Sequence, residues 1–302
     1  MPLNRRRGSW GRFSGLVYVV PAVAVFGLFT AFPLVENVLW SFYHVTLTGK
    51  DFIGTAHYRQ LGSDPVFQTA LVNSLLWIVL TIAAQMTLGY GLALLVEDHL
   101  VFGRGFFRTL FFVPMVITPS IISIVFTTLY APSYGAVYGL WEALLPNLPF
   151  PGLLSDPNLV TFTLIGVNVW QWTGFFFLLY VAGLSQIPVE VREAARVDGA
   201  GFVPLSTRVY LPMLRPTHLT LLLLGTVQAL QQFPLVYLIT GGGPDNASQI
   251  LGTDIFQEGF ILNHLGYAST IATVLLILAL VLVVLQLRLF GGRFTVSQRT
   301  LE

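Results

Sequence analysis

The sequence predicts an all-α integral membrane protein with about six transmembrane helices, and three observations carry that prediction. Hydrophobic residues make up 55% of the 302 and charged residues only 10%, whereas ordinary soluble domains carry roughly a quarter charged residues. Six stretches meet the length of about 20 mainly apolar residues that a helix needs to cross a bilayer core. The basic residues gather in alternate connecting segments, as Lys and Arg do in cytoplasmic loops. A water-soluble fold could not bury so much apolar surface while leaving so little polar surface outside. A net charge of +1 gives no concentrated basic face for nucleic acid. With no cysteine in the chain, disulfides, thiolate metal sites and thiol nucleophiles are excluded.

The elements follow in order. Residues 1–14 form a short arm with Arg5, Arg6 and Arg7, and the apolar run that follows is too long for a typical signal-peptide core, so a retained first span is expected at 15–40. Glu36 falls near its outer end, because a carboxylate at mid-bilayer would cost roughly 2.5–3.5 kcal/mol. A loop at 49–65 carries Lys50, Asp51, Arg59 and Asp64. The second span is expected at 71–96, followed by a short charged turn with Glu97, Asp98 and Arg104. The third span, 108–130, leads into a segment broken by Pro132, Pro146, Pro149, Pro151 and Pro157. The fourth is expected at 159–186, the fifth at 216–239 and the sixth at 265–288. The whole bundle occupies 15–290, and 291–302 is a tail. With the N-terminus inside, all of the 15 basic residues except Lys50 and Arg59 are cytoplasmic, so both termini are expected there. Pro21, Pro33, Pro114, Pro119 and Pro234 should kink or interrupt their helices, which a membrane tolerates where neighbours or water satisfy the freed backbone.

The cytoplasmic segment 187–215 is the longest charged connection. Pro188 ends the fourth span and pre-sets a first helical turn. Glu190 and Glu193 sit near that helix's start, where carboxylates suit the helix dipole. Ala194 and Ala195 favour helix and allow close approach, Gly199 ends it, and Pro204 can begin a second short helix. The expected product is a helix–turn–helix along the cytoplasmic face.

Glu193-Ala194-Ala195, then Gly199, Val209 and Leu211-Pro212 resemble the EAA loop of ABC importer permeases. Val209 stands where the family usually has Ile, and Val203 and Ser206 where carbohydrate-type members tend to have aromatic residues. The resemblance extends to Arg108-Thr109-Leu110-Phe111-Phe112-Val113-Pro114, to Ala182-Gly183-Leu184 before Ile187-Pro188, and to Phe52-Ile53-Gly54 with Tyr58. Thr240-Gly241-Gly242-Gly243-Pro244 is similar to one of the two permeases of carbohydrate-uptake importers. This resemblance implies the ABC importer permease fold with a cytoplasmic coupling helix, in a bacterial or archaeal inner membrane. It also implies ATPase contact through Glu193, Ala194, Ala195, Asp198, Gly199, Ala200, Leu211 and Pro212. The implied partners are a second homologous permease subunit, two ATPase subunits and an extracytoplasmic substrate-binding protein, besides membrane lipid. No cofactor is expected in this chain. It has no Walker-type glycine loop, so ATP and Mg belong to the partner ATPase, and the chain itself is not an enzyme.

A sugar pathway calls for neutral polar side chains and aromatic platforms, and polar groups within spans usually face the bundle interior. The candidates are Asn168, Trp170, Gln171 and Trp172 on the fourth span and Gln228, Gln231 and Gln232 on the fifth. The spacing of the last three puts them on one helical face. Such residues equally serve as hydrogen-bonded glue between helices. His44, His57, His99, His218 and His264 show no metal-ligand spacing, so no metal is expected. An ion-coupled secondary transporter remains the alternative. It is disfavoured because such proteins need ionisable groups inside the spans. A membrane enzyme would need an acid–base or metal cluster, and a passive channel would have no use for a coupling loop.

Overall fold

A computed structural model describes residues 10–46, 49–97 and 104–290. The basic arm at Arg5–Arg7, the charge at Asp98, His99 and the expected tail 291–302 lie outside the described residues. Among the described residues, five helical runs are long and apolar enough to span a bilayer: Tyr18–Trp40, Pro65–Val96, Val160–Ser185, Arg215–Thr240 and Leu265–Phe290. A bent pair, Gly105–Val116 and Pro119–Leu129, makes a sixth.

The first span comprises α1 (Trp10–Phe26), a five-residue π-helical run and α2 (Phe32–Trp40). An antiparallel hairpin follows, β1 (Tyr43–Thr46) with β2 (Gly49–Phe52), and then α3 (Ala56–Ser63). The second span, α4 (Pro65–Glu97), starts six residues before the expected 71. Asp64 explains the early start, since its Oδ1 accepts the Val66 and Phe67 N–H groups at 2.8 and 3.4 Å. A side-chain acceptor there satisfies donors that have no partner within the helix, and Pro65 suits the first helical position. Thirty-three residues extend about 50 Å, well beyond a hydrocarbon core of about 30 Å.

The third span, expected at 108–130 with Pro114 and Pro119 kinking or interrupting it, is broken at Pro119. It is two helices, α5 (Arg104–Val116) and α6 (Pro119–Leu129), meeting at 96°. Pro119 has no N–H to continue a helix and pushes the residue before it to extended geometry, and Thr118 lies at φ −64°, ψ 148°. The fifth span is interrupted in the same manner. α12 (Arg215–Leu230) stops before Gln231, and α13 (Phe233–Thr240) begins with Pro234 in its first turn. Pro21 and Pro114, by contrast, lie inside α1 and α5.

α8 (Val160–Ser185) is the central helix, packed along α4 on one side and α5 on another. Trp77, Phe176, Phe177 and Tyr180 are fully buried here. Gly174 permits the contact with α5, because a Cβ on it would lie 1.8 Å from the Phe111 carbonyl oxygen. α12 packs on α4, α15 (Leu265–Phe290) on α12, and α13 on α6. The connections hold further short helices. α7 (Ala136–Leu144) lies between the third and fourth spans, α9 (Val189–Val197) follows the fourth, and α14 (Leu251–Phe256) precedes the sixth.

Candidate functional site

Two regions collect the residues singled out from the sequence. The first is the segment after α8. Pro188 is the residue before α9 and sits in extended geometry, so it caps the helix from outside instead of supplying its first turn. Glu190 lies in the first turn, whereas Glu193 is mid-helix, away from the dipole's positive end. Gly199 at φ +82° reverses the chain, a conformation L side chains rarely adopt. The Ala200 N–H returns to the Ala195 carbonyl at 2.9 Å and the Gly199 N–H to Arg196 at 3.0 Å, which closes the helix end. A second helical run follows: α10 (Phe202–Pro204), a π-helical stretch at Leu205–Tyr210, and α11 (Leu211–Met213). Pro204 therefore lies within the first turn and does not open it.

This second run is tied to the bundle by Leu205, Tyr210 and Leu214, which are buried with Leu184, Ile187 and Tyr180. Arg192 donates to the Leu184 carbonyl and lies over the Tyr210 ring at 5.7 Å. The opposite side is open. Glu193, Ala194, Asp198, Gly199, Leu211 and Pro212 are exposed, while Ala195 and Ala200 are half-buried. Val197 is 86% exposed, and α9 buries no residue at all. Apolar and small side chains among charges thus face away from the rest of the chain.

The second region is a cavity of about 320 Å³ at the two broken spans. Gln171, Trp172, Gln228, Gln231 and Gln232 line it, together with Pro119 and Pro234. Gln171 Nε2 donates to the Ile117 carbonyl at 3.3 Å, one of the groups left without a helical partner where the third span breaks. Gln228 Nε2 donates to Gln232 Oε1 at 2.9 Å. The buried oxygens Gln171 Oε1 and Gln228 Oε1 have no hydrogen-bond donor among the described residues. Unpaired buried acceptors are costly, and the amide side chains that carry them make this wall polar.

Five of the seven expected pathway residues therefore meet at one cavity, but not as a helical face. The helix ends at Leu230, so Gln231 and Gln232 occupy the break and the cavity forms around it. Asn168 and Trp170 do not line this cavity. Asn168 is fully buried and accepts Gln85 Nε2 at 3.1 Å between α4 and α8. Trp170 points outward, 46% exposed, with its ring edge-on to Phe126 at 5.2 Å. Trp170 is 100° of helix from Gln171, whereas Asn168, three residues away and only about 60° round the helix, is engaged by Gln85 of α4.

Several polar residues escaped the sequence reading. Asn73 donates to the Ala247 and Gln249 carbonyls at 2.8 and 2.9 Å. Gln286 Nε2 donates to Thr226 Oγ1 at 2.6 Å. These, with Gln85, were detectable as amides inside apolar spans, where polar groups tend to face protein. Asp254 had no such signal. It lies in α14, is 2% exposed, and its carboxyl is pushed up to about 7, first by burial and then by Glu258 and Asp64 nearby.

Comparison with known proteins places this architecture. The family described as "Binding-protein-dependent transport system inner membrane component" matches residues 85–295. The "Probable ABC transporter permease protein YurN" of Bacillus subtilis is 36% identical over 277 residues, covering 91% of this chain and 94% of the relative. The "Sulfoquinovosyl glycerol transport system permease protein SmoG" of Agrobacterium fabrum is 30% identical over 284 residues, covering 92% and 90%. In fold, the chain is similar to one of a solved bacterial alginate ABC transporter in complex with an alginate pentasaccharide-bound periplasmic protein. The TM-score is 0.80 at 23% identity, covering 92% of this chain and 94% of that one.

Proposed function

This chain belongs to the binding-protein-dependent transport inner-membrane component family, and on that premise we propose that it forms half of the translocation path for a sugar or a related polar solute. As a member of that family it is the permease subunit of an ATP-driven importer. The observation that carries the substrate class is the cavity at the two broken spans. Its polar lining is all amide, from Gln171, Gln228, Gln231 and Gln232, beside the ring of Trp172. Among the described residues no ionisable side chain lines it, so its recognition chemistry is hydrogen bonding and stacking. A carbohydrate supplies hydroxyl groups for the first and C–H faces for the second. The similarity to SmoG supports the same class.

The segment 187–215 is the contact for the ATPase. Its outward surface is built from Glu193, Ala194, Asp198, Gly199, Leu211 and Pro212, the positions that resemble the EAA loop. Two ATPase subunits, a second homologous permease and an extracytoplasmic binding protein complete the assembly, with ATP and Mg held by the ATPase. Both termini and 187–215 face the cytoplasm, and Arg59 faces outside. An ATPase can shift the permease between two states only through a difference in its affinity for them. That difference has to be registered where the two subunits touch.

The test is a double variant, Glu193→Ala with Ala194→Arg, both at exposed positions. Co-purification with the ATPase should fall about tenfold or more, the equivalent of about 1.4 kcal/mol, with membrane insertion unchanged. Full-yield co-purification would remove the docking assignment. Membrane-impermeant labelling of single cysteines at Arg59 and Arg196 in intact cells tests orientation, and only Arg59→Cys should react. For the solute class, Gln228→Leu should abolish uptake of the sugar that the companion binding protein retains.

A further inference from the structure

Where the second helical run of the cytoplasmic segment meets the bundle, three rings from three different spans converge. Tyr90 comes from α4, Tyr180 from α8 and His218 from α12. Tyr180 packs edge-on to Tyr90 and to His218, each at 5.4 Å between ring centres, and Tyr90 and His218 are 6.5 Å apart. Tyr180 is 1% exposed, and the other two are half-buried. Edge-to-face pairs at such distances contribute about 0.5–1.5 kcal/mol each beyond burial.

Both ends of this cluster are hydrogen-bonded to the main chain of the segment. Tyr90 OH donates to the Ser206 carbonyl at 2.7 Å. His218 Nε2 lies 3.2 Å from the Leu211 carbonyl, and its Nδ1 lies 3.0 Å from Tyr180 OH. A carbonyl can only accept, so Nε2 carries the hydrogen, and Nδ1 of the neutral ring accepts from Tyr180. The Ser206 carbonyl also accepts the Leu211 N–H that closes the π-helical stretch. Such π-helical insertions are rare and concentrate at functional sites. On the outward side, Arg192 joins α9 to the same unit through the Leu184 carbonyl and the Tyr210 ring. A continuous path of contacts therefore leads from the exposed helix, through the second run, into α4, α8 and α12. α8 and α12 carry Gln171, Trp172, Gln228 and, at the end of α12, Gln231 at the cavity.

We propose that Tyr90, Tyr180 and His218 are positioning residues that lock the second run of the cytoplasmic segment to three spans at once, so that displacement of the docked helix is delivered to the cavity. The proposal rests on the docking role given to 187–215. Coupling of this kind needs a connected element with two arrangements that both sites bias. A rigid clasp between run and spans meets that need, whereas a loose one would let the loop move alone.

The experiment uses the assembled importer in nanodiscs, with this chain carrying one introduced cysteine, Val227→Cys, at an exposed position on the cavity wall. The native chain has no cysteine to interfere. A water-soluble maleimide reports the labelling rate without nucleotide and with Mg-ATP plus vanadate. The parent should change about fivefold or more between the two conditions, the lower edge of typical coupling. In Tyr180→Phe and in His218→Leu the change should fall below about twofold, with ATPase still co-purifying at the parental yield. His218→Gln should restore the response, since its amide can both donate to Leu211 and accept from Tyr180. A purely packing role predicts no difference between Leu and Gln. A full response in Tyr180→Phe or in His218→Leu overturns the proposal, and so does loss of the ATPase from them. If His218→Leu cannot be purified, Tyr180→Phe, which removes one hydroxyl and keeps the ring, decides alone. A parent that shows no nucleotide response sinks the docking reading itself, a different result from a responsive parent with unresponsive variants.

Discussion

Two connections of similar length flank the fifth span, and they are built in opposite ways. The segment 187–215 leaves α9 with no buried residue and Val197 86% exposed. The segment 241–264 folds inward, with Ser248, Gln249, Ile250, Leu251, Thr253 and Asp254 all buried. Its main chain is held from other elements. Asn73 binds the Ala247 and Gln249 carbonyls, Thr161 Oγ1 donates to Ala247 at 3.0 Å, and Ser74 Oγ accepts the Leu251 N–H at 3.0 Å. One connection packs its central residues 248–254 into the chain, and the other keeps an apolar and small-residue surface exposed. Substitutions in the inward segment should therefore register as stability, and those on the open face as association.

The sharpest test of that contrast is truncation at matched apolar positions. Leu251 is fully buried between α4 and α15, so Leu251→Ala should cost about 2–5 kcal/mol. Val197→Ala should stay within about 0.5 kcal/mol. Thermal unfolding of the purified permease measures both, and equal costs would erase the distinction. A smaller loss is expected for Asn73→Ala, which takes the donor from the Gln249 carbonyl and leaves Ala247 with Thr161 alone, at about 1–3 kcal/mol. Faster hydrogen exchange confined to 246–252 would accompany it. A pH effect comes next. The Asp254 carboxyl ordinarily titrates near 3.8 and is raised to about 7 by burial and by Glu258 and Asp64. The folded protein then binds this proton more tightly than the unfolded chain. Its stability should be highest below about pH 4, decline between about 4 and 7, and level off above. Asp254→Asn should flatten that decline in unfolding measured from pH 4 to 8. The least effect belongs to Glu193→Ala alone, which should leave unfolding within about 0.5 kcal/mol while weakening ATPase retention.

The spans were legible because apolar length and the distribution of arginines are written linearly. The fourth span, expected at 159–186, is Val160–Ser185. What hydropathy does not encode is where an apolar run turns. The third span reads as one run from 108 to 130, and only Pro119 hints at the 96° bend. Gln171, Trp172 and the three glutamines of the fifth span were found as polar residues in apolar surroundings, but their meeting at a cavity depends on two breaks facing each other. Asn168 shows the limit of that signal, since an amide bonded to Gln85 between two helices looks the same in sequence as one lining a path. The clasp of Tyr90, Tyr180 and His218 was invisible for another reason. Its members are separated by 90 and 38 residues and carry no shared motif.

The interruptions in the third and fifth spans have a mechanical consequence. α6 and α13 pack directly on each other, and each is separated from the preceding half of its span by two residues outside the helices, Ile117-Thr118 and Gln231-Gln232. Continuous helices would have to break rungs in order to bend. Here a change of angle between the two halves of either span needs torsions only at the break, and the rungs within each half stay intact. Both breaks border the cavity, through Pro119 on one and Gln231 and Gln232 on the other.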